Sequence, residues 1–465
     1  MAKKQIHLNA FEMNCVSHIT HGLWVAPGNN RHRYTELSYW TELAQLLERG
    51  LFDAVFLADV VGVYDVYRGG METSVREAVQ IPVNDPLLVI PPMAAVTEHL
   101  GFAATVCTTF EHPFGHARRM STLDHLTNGR IGWNVVTSYL PSAARNYGLD
   151  AMVKHDERYE MADEYMEVCY KLWEQSWDDD AVVRDRERGV YTEPSRVHLI
   201  NHEGQYYRVP GPHLSEPSPQ RTPVLYQAGA SGRGRVFAGR HAEAVFLGGP
   251  SPEAIRGYAR DIRQQAVSFG RNPDHIKMMT GMTCIVGRTR EEARAKVEYY
   301  GSLRSKEGAL AHYGGSSGYD LSRYAPDDYL EYVATDHQQT AAARFTTASA
   351  SRKTVGEVIE TLGSVNRSGF LTTGSPEDVA DQIEAWIEET ETDGFNLTQY
   401  HSFDTFRDFI DLVVPVLQRR GLYREAYAPG TFRERLLGPG IARLPNDHPG
   451  AAYRLPQREL AATSV

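Results

Sequence analysis

Residues 130–159 read RIGWNVVTSYLPSAARNYGLDAMVKHDERY. The segment 130–136 is a short apolar run rich in β-branched residues and bounded by Gly129 and Ser138, which reads as a buried strand. Asn134, Thr137 and Ser138 gather at its C-terminal end, and after a loop His155-Asp156-Glu157-Arg158-Tyr159 opens a long helix. Polar side chains at the end of one strand, facing the start of the next helix, are what an α/β barrel active site is made of. The plainer reading is that Asn134 and Thr137 only terminate a strand and Asp156 caps a helix.

Outward from this stretch, strands and helices alternate. Before it come candidate strands at 6–11, 53–58 and 102–108, with helices at 35–48, around 85–99 and at 112–127. After it come a helix at 157–173 and strands at 224–229, 244–247, 277–286 and 394–398. Helices follow these strands through Arg240 and at 252–269, 291–300, 376–389 and 405–420. Eight strand–helix units without a second composition regime predict an α/β chain folded as one (β/α)8 TIM barrel over residues 1–438. The rhythm breaks at about 60–84, 176–222 and 303–372, which read as insertions. Within 176–222, strands are expected at 197–200 and 206–209. Within 303–372, the run YGGSSGYD at 313–320 reads as a glycine-rich turn, either of a lid over the site or of a rigid surface insertion that serves oligomer contacts. Residues 439–465, rich in Pro, Arg and Ala, read as a C-terminal tail that wraps a neighbour or frays. A doubly wound dinucleotide fold would show GxGxxG after its first strand, where this chain has NAFEMNCVSH.

The chain has 465 residues and a formal net charge of −11, which argues against a nucleic-acid or anionic-membrane partner. Cys15, Cys107, Cys169 and Cys284 are scattered without a CxxC pair, so reduced thiols are expected. The start MAKKQIHLNAFEM lacks the apolar core of a signal peptide, and no apolar run has transmembrane length. A cytoplasmic protein acting on a small molecule is the expectation.

Candidate site residues come from the strand ends. Gly229 to Arg235 follows the fifth strand and opens a helix. By itself such a stretch is more often only a turn, but small residues there let backbone N–H groups approach an anion, so Ser231, with His155 and Tyr159 across the mouth, is a candidate phosphate site. Asp59 ends the second strand, and Thr105 and Thr108 lie toward the end of the third, placed to hydrogen-bond the edge of a planar heterocycle. Phe11 and Phe56 would wall the pocket, although a barrel aromatic is more often simple core. His18, His21, His112, His116 and His155 show no HxH or HExxH pattern, so no metal is expected. No GxSxG follows a strand.

Four runs together carry a resemblance: WNVVTS (133–138), HDERYEMADEY (155–165), QAGASGRGR (227–235) and DGFNL (393–397). They resemble the flavin-dependent monooxygenases of the bacterial luciferase-like class. More narrowly, they are similar to the group containing nitrilotriacetate, dibenzothiophene sulfone and dimethyl sulfide monooxygenases, over about residues 5–437 in order. NAFEMNCVSH and FLADVVGVYDVYRG (56–69) look closest to the dimethyl sulfide branch. The resemblance implies a luciferase-like barrel that takes reduced FMN and O2 as co-substrates, with FMN reduced by a separate NAD(P)H:flavin reductase. A homodimer or homotetramer is expected. Carried over, Asp59, Thr105, His155, Tyr159 and Ser231 match FMN-contacting positions, with Asn134 and Thr137 beside the ring. His18 matches a substrate-side histidine and is the candidate catalytic proton donor or acceptor. No second pocket histidine aligns in 303–372. The implied chemistry is oxidation of a small organosulfur compound such as dimethyl sulfide through a flavin C4a-(hydro)peroxide, in a site closed against water. Alternatives are an aminopolycarboxylate or aromatic sulfone monooxygenase, a non-catalytic flavin-binding barrel, and a deazaflavin-dependent dehydrogenase on the same barrel.

Overall fold

Eight parallel strands close on themselves: β1 (His7–Met13), β2 (Ala54–Ala58), β3 (Gly101–Cys107), β4 (Ile131–Val136), β5 (Val224–Ala228), β6 (Ala244–Leu247), β7 (Lys277–Val286) and β8 (Gly394–Thr398). Each pairs with the next, and β8 pairs back onto β1, with Phe11 opposite both Phe56 and Thr398. The computed structural model describes residues 4–229, 231–333, 337–349, 352–365 and 369–455. The eight strands expected from the sequence all form, and the barrel expected from their alternation with helices is present.

Strand parity sorts the side chains into two layers. Leu8, Val55, Leu57, Phe102, Ala104 and Trp133 point outward into the main core beneath the helices. Phe11, Phe56, Tyr226 and Phe246 point inward and pack as a layer of aromatic rings, with Phe11 5.7 Å from Phe56 and 5.0 Å from Phe246. That layer is the floor of the upper barrel. The opposite end is plugged by the helix Phe432–Leu437. A Cβ on Gly101 would stand 3.0 Å from the Phe432 ring and one on Gly132 3.3 Å from it, so these two positions are glycine to admit the plug.

The insertions differ from expectation in instructive ways. Residues 197–200 are not a ladder strand. Val197 makes a single bridge to Trp177, and the His198 amide donates to Ser176 O at 2.8 Å, so the segment folds back on the preceding turn. The hairpins are instead Val182–Asp185 with Val190–Thr192, turned by the charged run at 186–189, and His202–Glu203 with Arg208–Val209. The stretch at 313–320 is not a surface turn. Tyr313 to Ser317 complete a buried helix, Lys306–Ser317, and only Gly318 has left-handed backbone, ending it. Gly315 serves close approach rather than flexibility: a Cβ there would lie 2.0 Å from Cδ1 of Tyr64. An additional strand, Phe370–Gly374, pairs with β7 from Met282 to Val286 outside the barrel's own closure.

The tail neither frays nor reaches away through residue 454. Leu444 and His448 are buried, and Arg443 and Arg454 each pair at 2.9 Å with the buried carboxylate of Glu174. No helix among the described residues is long and apolar enough to cross a membrane.

Candidate active site

A cavity of about 950 Å³ opens over the C-terminal ends of β1 to β6. It is lined by Phe11, His18, Phe56, Asp59, Thr105, Asn134, Thr137, His155, Tyr159 and Ser231, so these ten expected residues meet in one place. Thr108 does not join them. It shares the outward parity of Phe102 and Ala104; it is fully buried, and its hydroxyl donates to Val136 O at 3.3 Å. Its expected role as a cofactor contact is corrected to one of joining β3 to β4.

The phosphate end is built from two helix starts. Ser231 caps the helix Gly232–His241, its Oγ accepting from the Gly234 amide at 3.1 Å. Amides in the first turn of a helix have no intrahelical acceptor and favour an anion. Tyr159 comes from the helix His155–Tyr170, and its hydroxyl is hydrogen-bonded to the side chains of Ser231 and Gln227. A Cβ on Gly234 would lie 2.9 Å from that hydroxyl, and one on Gly229 3.3 Å from it, so the glycines keep the cradle open. Arg158, buried on the same helix turn, lines the cavity and donates through Nη1 to Val153 O at 2.6 Å. Its charge suits a phosphate. The sequence carried it in plain view inside HDERY, where the reading took only His155 and Tyr159.

The ring end is built from β2, β3 and β4. Asn134 Nδ2 donates to Thr105 Oγ1 at 2.9 Å, while Asn134 Oδ1 is buried without a partner among the described residues. A buried acceptor left open at a cavity wall asks for a ligand N–H. Asp59 follows β2. Burial, with the Asp85 carboxylate close by, pushes its pKa up to about 7, so near neutrality its carboxyl is half protonated and able to donate. The unsatisfied Asn134 acceptor, the glycine-opened cradle and Arg158 fit a flavin mononucleotide.

Apart from His18, the third wall was not legible. His18 stands edge-on to Phe11 at 4.4 Å, with its backbone O accepting from Gln80 Nε2 at 3.0 Å. Tyr64 Oη donates to Gln80 Oε1 at 2.9 Å and meets Tyr139 Oη at 2.7 Å. His312 stacks on Tyr64 at 5.1 Å and meets His21 Nε2 at 2.8 Å. Within 303–372, where the sequence aligned no second pocket histidine, His337 and His312 both line the cavity, and the ring contacts above belong to His312. It sits on a buried helix whose spacing the Gly314-Gly315 pair disguised.

Replacing Tyr159 with phenylalanine should weaken FMN by about 1.5–3 kcal/mol, the worth of a hydrogen bond to a charged group, and leave riboflavin nearly unaffected. Fluorescence titration of both ligands checks this. Equal weakening would move the phosphate elsewhere.

The luciferase-like monooxygenase profile matches residues 19–394, and the chain belongs to that family. It is thus a flavin-dependent oxidoreductase of the monooxygenase type. A long-chain alkane monooxygenase of Geobacillus thermodenitrificans (strain NG80-2) is 60% identical over 452 residues, covering 97% of this chain and 98% of that protein. A dimethyl-sulfide monooxygenase of Hyphomicrobium sulfonivorans is 51% identical over 453 residues, covering 97% and 94%. A crystal structure of a riboflavin lyase with modified FMN and riboflavin aligns with a TM-score of 0.92 at 41% identity, covering 97% of this chain and 100% of that one. The group expected from the sequence is the right one. Within it, the alkane monooxygenase shares more of this sequence than the dimethyl-sulfide enzyme does.

Proposed function

We propose that this chain is the oxygenase of a two-component system. It receives reduced FMN from a separate NAD(P)H:flavin reductase and uses O2 to oxidise an apolar alkyl substrate. The observation that carries the reading is one cavity among the described residues that is lined both by the polar residues above and by Ile19, Val60, Val61, Val63, Ile81 and Leu362. Reduced FMN, when bound, supplies the electrons and the activation of O2. The chain's own residues do the rest. Ser231, Tyr159 and Arg158 hold the phosphate. Asn134 accepts from the ring edge, and Asp59 and Thr105 complete that side. His18 holds a proton over the aromatic floor, at the junction of the two ends. The helix Lys306–Ser317 and part of 337–348 line the cavity, where they would limit the access of water to bound flavin.

The apolar wall favours an alkyl substrate over an aminopolycarboxylate, whose carboxylates would lose hydration against it. A hydrocarbon chain is the first reading, supported by the alkane relative and by the size of the cavity. A small organosulfur compound such as dimethyl sulfide is the second, supported by the other relative.

The test uses purified protein, FMN, NADH and O2, with and without an added flavin reductase. The panel is an n-alkane, dimethyl sulfide, an aromatic sulfone and nitrilotriacetate. Product is expected only with the reductase, and from the alkane or the sulfide. Steady NADH consumption by the protein alone would reject the two-component reading. Product from nitrilotriacetate alone would reject the alkyl substrate.

A further inference from the structure

We propose that Asp163 is the positioning residue of the flavin-phosphate site, tying the helix that carries Tyr159 to the helix that Ser231 caps; this rests on the phosphate reading above. Asp163 lies four residues after Tyr159 on the helix His155–Tyr170, so it faces the same side one turn along. Its carboxylate takes three partners from the helix Gly232–His241. Oδ2 accepts from Arg233 Nη2. Oδ1 meets His241 Nε2 at 3.0 Å and lies 3.5 Å from Arg240 Nη1. Asp163 thus grips its neighbour helix at the first turn and again at the last.

The grip has a consequence at the ligand end. Arg233 lies two residues past Ser231 on the first turn of that helix, and Asp163 fixes its guanidinium over the Tyr159 ring, 5.5 Å from the centroid. The Tyr159 hydroxyl, the Ser231 hydroxyl and the first-turn amides are left to face the anion. The far end is just as ordered. Burial keeps His241 below its ordinary pKa, so its ring is neutral near neutral pH. A neutral ring that donates from Nε2 to Asp163 has Nδ1 free to accept, and the Tyr170 hydroxyl lies 3.0 Å from it. His448 of the folded-back tail meets His241 O at 2.9 Å.

The test is binding of oxidised FMN and of riboflavin, followed by flavin fluorescence, to the wild type, Asp163→Asn and Asp163→Glu. Asp163→Asn should raise the Kd for FMN about tenfold, as loss of a charge-assisted contact would. Riboflavin should be unaffected, and Asp163→Glu should recover part of the loss. If Asp163→Asn does not fold, Arg233→Met removes the same link from the other helix and should give the same FMN-selective loss. An unchanged Kd for FMN, tighter FMN binding, or equal weakening of both flavins would overturn the proposal while leaving the phosphate site in place. A wild type that holds FMN no better than riboflavin would overturn the phosphate reading and this proposal with it.

Discussion

Replacing His18 with alanine should lower the product formed per reduced FMN by about 100-fold or more, the range a positioned proton donor contributes. FMN affinity should barely change, because the phosphate and ring contacts lie on other strands. The imidazole is buried, stands over Phe11 and lies between the polar flavin end and the apolar wall. On the proposed reading, a group so placed serves proton transfer at the oxygen being transferred. Without it, consumed O2 should appear as free hydrogen peroxide, so the ratio of peroxide to product rises. The rival is the neighbouring chain from Ser17 through His21 to His312, linked at 3.0 and 2.8 Å. If His18→Ala keeps the wild-type ratio and His312→Ala loses it, the proton comes through that chain instead.

How much of this was legible follows from where the information lies. The barrel strands announced themselves because each is a short apolar run between turn residues, and each fixes its own inward and outward faces. Asn134, Thr105 and Asp59 were legible for the same reason: a polar residue ending an apolar strand has few places to go. Thr108 failed on parity, since one residue beyond a strand end reverses the side-chain direction. Two elements were hidden by glycine. Gly314 and Gly315 look like a hinge, but their bare backbones let a helix press against Tyr64 and Tyr67. Gly101 and Gly132 look like weak points in strands, yet they are seats for Phe432, a contact 300 or more residues away. No local pattern encodes such a partner.

The wall that Tyr64, Gln80, Tyr139 and His312 build around His18 was, His18 apart, illegible for a related reason. Its members come from the loop after β1, from the excursion after β2, from the loop after β4 and from the inserted helix. Each is an unremarkable polar residue in its own segment. Only the closed barrel, which brings all the strand ends to one mouth, makes them neighbours.

Replacing Arg433 with alanine should cost about 3–5 kcal/mol of stability, the usual result of removing one partner from a buried ion pair. Arg433 and Glu243 are both fully buried at the plugged end, with Nε 2.6 Å from Oε1. Arg433 also donates to Thr222 O at 2.8 Å and to Pro223 O at 2.9 Å, the two carbonyls that lead into β5. Glu243 Oε2 accepts from the Leu225 amide at 3.0 Å, within β5 itself. One guanidinium therefore satisfies the entry to a central strand and anchors the plug helix whose Phe432 fills the barrel floor. Alanine takes the guanidinium partner from the Glu243 carboxylate and from four carbonyls, those of Thr222 and Pro223 among them. Urea unfolding of the flavin-free protein reads the cost. Pairing Arg433→Met with Glu243→Gln should recover much of it, because the penalty is the stranded charge rather than the lost attraction. Flavin affinity in the folded single variant should stay close to wild type, since the pair lies at the opposite end of the strands from the cavity. A cost below about 1 kcal/mol, the scale of an exposed pair, would show that water reaches Glu243 and that the plug does not seal the barrel.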